Sequence, residues 1–80
     1  MRVILKHELN RVKNGFAARS PELRLVAHGH SDELARRNLE RTALLFLKPL
    51  ERQGVLEEEL SRLNLRVEDE AEELTVVVGD

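Results

Sequence analysis

One amphipathic run limits what this chain can become. From Asp32 onward, apolar residues recur at Ala35, Leu39, Ala43, Phe46 and Leu50, and Leu34, Leu45 and Leu47 widen the stripe. This is the spacing of a helix with one buried face. Ser31 stands where a helix needs an acceptor for its free amides, and Asp32 and Glu33 set negative charge against the positive end of the helix dipole. The helix therefore starts at Asp32. Arg36, Arg37, Glu40 and Arg41 fall on the opposite side, where Arg36 attracts Glu40 and Arg37 repels Arg41. Pro49 lacks a donor for the carbonyl four residues back, so the run is expected to stop or kink near Leu47 and Lys48. Gly54 is a terminating glycine, after which Val55, Leu56, Leu60 and Leu63 predict a second, shorter helix with Glu57, Glu58 and Glu59 near its start.

Ahead of the helix the periodicity is two. Val3, Leu5, His7 and Leu9 alternate with Ile4, Lys6, Glu8 and Asn10, which predicts one strand over residues 2 to 10. Asn14-Gly15 supplies a turn that tolerates positive φ, inside a hairpin loop of about five residues. Phe16 to Arg19 resume an extended path that Pro21 must end, bulge or hold at an edge. Leu23, Leu25 and Ala27 alternate with Arg24, Val26 and His28 as a third strand, so an antiparallel meander is expected. Beyond the helices, Leu65 and Val67 suggest a short extended piece, and Leu74 to Val78 is apolar enough to predict a strand inside a sheet. The order β-β-β-α-α-β is that of an α+β domain spanning residues 1 to 80, one antiparallel sheet with the long helix on one face.

Composition narrows the function. A chain of 80 residues buries a modest core, for which oligomerisation is a common remedy. With no cysteine, no thiolate metal site or disulfide is possible, and no apolar run reaches the length of a membrane span, so a soluble, cytoplasmic protein is expected. The formal net charge of -2 hides a polarity: residues 1 to 31 carry six Lys/Arg against two Glu, and residues 54 to 80 carry two Arg against nine Asp/Glu. The acidic stretches Glu57 to Glu59 and Glu68 to Glu73 are the part suited to meeting a basic partner.

Reactive constellations are hard to assemble from these residues. His28 and His30 lie at i, i+2, a spacing some metal sites use, but no third ligand is near in sequence. His7 falls on the inward face of the first strand and is expected to be a satisfied structural histidine. Ser20 and Ser31 have no base at a suggestive spacing. Gly15, Gly29, Gly54 and Gly79 are isolated and form no phosphate-cradling loop. The basic residues Arg2, Lys6, Arg11, Lys13, Arg19 and Arg24 invite a nucleic-acid reading, although Phe16 and Phe46 are the only aromatics available to stack on bases. The expectation is no catalytic, metal-binding or cofactor-binding residue, and no enzyme.

The ordered set Gly15-Phe16-Ala17-Ala18, Ser20-Pro21-Glu22-Leu23, His28-Gly29-His30-Ser31, Ala35, Asn38-Leu39, Ala43 and Phe46-Leu47 resembles the HicB-type antitoxin family over roughly residues 3 to 50. That family shows a glycine-aromatic-apolar-alanine strand, a proline-acidic-leucine segment, a glycine-x-serine/threonine helix entry and a helix burying alanine, asparagine-leucine and alanine. The resemblance implies a partly degraded ribonuclease-H-like domain that dimerises or forms higher oligomers and neutralises a small RNA-cleaving toxin by covering its active surface. Many such proteins add a DNA-binding tail. Here Arg24-Leu25 stand where the family has Pro-Gly, and one predicted strand follows the helices with no tail after it. The expected function is therefore an antitoxin-like protein-binding module of a toxin-antitoxin system. The alternatives are a stand-alone homo-oligomeric structural or regulatory protein, or a nucleic-acid-binding domain using the basic N-terminal strands.

Overall fold

A computed structural model describes residues 1–68 and 72–79. Its elements run β1 (Arg2–Leu5), β2 (Glu8–Val12), β3 (Gly15–Ser20), β4 (Leu25–Gly29), α1 (Asp32–Gln53), α2 (Leu56–Arg62), β5 (Arg66–Glu68) and β6 (Thr75–Val78). The α+β class stands, but the strands form two three-stranded sheets, β5-β1-β6 and β2-β3-β4, in place of a single antiparallel one. β2-β3-β4 is the antiparallel meander, whereas β1 pairs antiparallel with β5 and parallel with β6.

The strand expected over residues 2 to 10 divides at Lys6-His7. Val3 and Leu5 are fully buried among Leu47, Leu56, Leu60 and Val76, whereas Leu9 packs on Ala18, Ala27, Ala35 and Leu39. Two cores claim the two halves, and the intervening residues are pinned from outside the ladder. The Lys6 N–H donates to Glu22 Oε1 at 3.2 Å, and the His7 ring bonds elsewhere. The hairpin is tighter than expected, because Val12 pairs directly with Gly15 and leaves only Lys13 and Asn14 in the loop. Asn14 takes φ 68, a conformation its side chain tolerates. The strand after Pro21 starts at Leu25, not Leu23. Leu23 is buried in the preceding turn, where its N–H donates to the buried Ser20 Oγ.

Helix α1 starts as predicted, with the Leu34 N–H donating to Ser31 Oγ at 3.1 Å. It does not stop at Pro49 but continues to Gln53 and closes on Gly54, which takes φ 76. Pro49 removes only the bond to the Leu45 carbonyl, on a flank where Leu45 is 67% exposed. Beyond it, Leu50 packs against the main core and repays continuation. Phe46 was expected in the buried stripe and is instead 43% exposed; Leu47, one residue on, is fully buried. The buried line of α1 thus drifts from the small-residue core of the meander toward β1, α2 and β6.

β5 supplies the short extended piece, with Leu65 buried just before it and Val67 packed on the core. β6, expected inside a sheet, is an edge strand, because β1 takes the centre. Its Val76 is buried while Thr75 and Val77 are exposed, the alternation of a strand covered on one face. Within the acidic stretch Glu68 to Glu73, residues 69–71 lie outside those described. No helix is long and apolar enough to cross a membrane.

Candidate functional site

Each residue weighed for chemistry has an observable place. Ser20 has its hydroxyl oxygen on the Leu23 amide, and Ser31 caps α1. His7 Nδ1 lies 2.8 Å from the Gly79 carbonyl, and Arg36 Nε donates to His7 Nε2 at 3.2 Å. That pairing makes Nδ1 the protonated nitrogen and Nε2 the acceptor. Arg36 also lies 3.8 Å from Asp32 Oδ2. The half-buried imidazole therefore fastens the β1-β2 break to α1 and to the residue after β6, and serves as the structural histidine foreseen.

His28 and His30 are exposed and share a shallow hollow of about 370 Å³ with Lys13, Asn14, Phe16, Leu34 and Asn38, between the β2-β3 hairpin and the first turns of α1. Gly29 between them permits this geometry, since a Cβ there would lie 2.5 Å from the Ala35 nitrogen. Asn38 Nδ2 donates to the His28 carbonyl at 2.8 Å and ties the strand to the helix. Asp32 and Glu33 at the helix entry oppose an anion. Among the described residues no group of three or more His, Cys, Asp or Glu is placed to hold a metal ion.

Two of the six basic residues of the N-terminal part are in ion pairs, and Lys6, Arg11, Lys13 and Arg24 are exposed outside any ion pair among the described residues. Arg2 lies 3.7 Å from Glu68 and Arg19 3.8 Å from Glu8, while Arg11 rests over the Phe16 ring at 5.9 Å from its centroid. The carboxylates are divided in the same way. Glu59 holds Arg62 through two hydrogen bonds of 2.7 Å, which keep its carboxyl below the usual glutamate range and raise the Arg62 guanidinium. Glu57 and Glu58 are exposed, without an ion-pair partner among the described residues, and line a hollow of about 310 Å³ with Met1 and Glu51. Glu72 and Glu73 are exposed before β6.

Two surface features were not read from the sequence. Leu45 and Phe46 leave apolar area uncovered on α1, and Arg41, Lys48 and Arg52 stand exposed along the same helix without ion-pair partners among the described residues. The helical spacing of 41, 45, 48 and 52 was the available signal. Among the described residues no nucleophile, base and oxyanion donors converge. No family model matches the chain, and no curated protein or solved structure matches it either.

Proposed function

We propose that this chain is a non-enzymatic protein-binding module of the HicB antitoxin kind, which neutralises a small, basic, RNA-cleaving partner by covering its active surface. The observation that carries the reading is the sorting of unpaired charge. Glu57, Glu58, Glu72 and Glu73 are exposed and outside any ion pair among the described residues in the C-terminal third, whereas the exposed cations Lys6, Arg11, Lys13 and Arg24 lie in the N-terminal half. Carboxylates presented this way accelerate encounter with a cationic surface and orient it, and the exposed Leu45 and Phe46 supply apolar contact area. The scarcity of aromatic side chains to stack on bases weakens the nucleic-acid alternative for the N-terminal strands. Self-association is part of the proposal, because the core is small and apolar side chains remain uncovered.

The test is co-expression with the product of a small basic reading frame adjoining the gene. Toxicity of that product is expected to fall, and the two proteins are expected to co-purify at low salt and separate at high salt. An RNA-cleaving neighbour whose toxicity is undiminished, with no complex at low salt, overturns the proposal.

A further inference from the structure

The outward side of α1 carries charge that nothing in the described chain uses. On an ideal helix Arg41, Lys48 and Arg52 fall within an arc of about 60°, spread over about 16 Å of axis, with Leu45 beside them. All three cations are exposed, and Leu45 is 67% exposed. The acids of the helix occupy the other flank and are mostly committed: Asp32 to Arg36, Glu33 to Arg37, and Glu40 Oε2 to the Val78 N–H at 2.9 Å. The result is a cationic stripe with an apolar centre.

We propose that this stripe docks a second copy of the chain through that copy's acidic end, where Glu57 and Glu58 open α2. The complementarity is internal to the molecule: among the described residues, exposed cations outside ion pairs lie along α1 and exposed carboxylates outside ion pairs open α2. Two α1 stripes cannot face one another, because Arg41, Lys48 and Arg52 would meet like charges. The contact therefore joins unlike patches, made twice in a closed pair or repeated in a larger assembly. Leu45 gives it an apolar element, since exposed ion pairs alone contribute little. This inference shares Glu57 and Glu58 with the proposed partner surface, so a basic partner and a second copy compete for the same carboxylates. It is tested on the chain alone, and its failure removes the self-association part of the antitoxin reading but leaves the neutralisation of a basic partner to its own co-expression test.

The experiment is light scattering of nuclease-treated protein at about 20 mM and about 500 mM salt, conditions that bracket strong and weak screening. Mass well above the 9.2 kDa of one chain is expected at low salt, falling toward it at high salt. The Arg41→Glu/Lys48→Glu/Arg52→Glu variant is expected to be monomeric, as is Glu57→Lys/Glu58→Lys, and an equimolar mixture of the two is expected to associate again. The neutral Arg41→Gln/Lys48→Gln/Arg52→Gln variant, with an unchanged melting curve, is expected to weaken association by about tenfold or more. A monomer at both salts, association untouched by the neutral variant, or association that vanishes with nuclease treatment overturns the proposal. In the last case the stripe binds nucleic acid.

Discussion

At the scale of single residues, a tight constraint is Gly29, where β4 passes under the first turn of α1. A Cβ there would meet the Ala35 nitrogen at 2.5 Å and the Leu34 carbonyl carbon at 2.8 Å, and backbone on both sides cannot yield. Gly29→Ala is expected to destabilise the fold by about 3 kcal/mol or more, read as a lower urea midpoint. Gly54→Ala tests the contrast: its Cβ meets nothing within 4 Å, so only the positive φ of 76 opposes it, at about 1 kcal/mol. Ser20 is fully buried with its Oγ on the Leu23 amide, so Ser20→Ala strands that amide and is expected to lose about 1–3 kcal/mol. Residue roles were legible where they were local. Ser31 could be identified as a cap because its acceptor and the Leu34 amide are three residues apart. Nothing local marked the partners of His7, because Arg36 and Gly79 are brought in only by the fold, or the partner of Asn38, whose bond reaches back to β4.

At the scale of elements, periodicity located nearly every helix and strand, and the errors share one cause: packing by distant residues overrode a local rule. Pro49 signals a stop, yet Leu47 and Leu50 on either side pack in the main core and hold α1 together. The proline is thus a cost the helix carries. Pro49→Ala is expected to raise stability by about 1–3 kcal/mol, since the restored N–H regains the Leu45 carbonyl, and calorimetry would register it as a higher melting temperature. Helix α2 spans only Leu56–Arg62, buries Leu56 and Leu60 in the main core and carries the Glu59–Arg62 pair on its surface. Arg62 depresses the ionisation of Glu59 in the folded chain. A depressed carboxyl contributes stability above its unfolded-state value, and that contribution is lost as pH falls through the lower folded-state value. Arg62→Gln is therefore expected to lower the urea midpoint at neutral pH, and the difference from the parent is expected to shrink as pH falls through the lowered folded-state value of Glu59. A loss that does not change with pH would show that Arg62 acts through packing instead.

At the scale of the whole molecule, the consequential departure from the sequence reading is that β1, near the N-terminus, pairs in parallel with β6, near the C-terminus. Parallel pairing needs a crossover, and here everything from β2 to β5 lies between the two strands. Hydrophobic patterning could not reveal this, because it reports which residues are buried and is silent on which strand lies alongside. Several contacts tie the closing strand down. The Thr75 N–H donates to the Met1 carbonyl at 3.0 Å and the Gly79 N–H to the Leu5 carbonyl at 2.8 Å, while Glu40 on α1 accepts from Val78 and His7 bonds Gly79. Leu74 and Val76 complete the main core from this strand. The meander and α1 therefore have local contacts that form early, whereas the β1-β6 ladder must await closure of nearly the entire chain. A chain ending at Glu73 is expected to retain helical circular dichroism but lose a cooperative thermal transition, because Val3 and Leu5 lose the strand that covers them. Glu40→Ala separates docking of the strand from its presence: the half-buried Val78 amide loses its carboxylate acceptor, and the expected loss is about 1–2 kcal/mol. Hydrogen exchange would then rise first at residues 75 to 79, with the β2-β3-β4 amides still protected. Uniform loss of protection across both sheets would instead make the two cores a single cooperative unit.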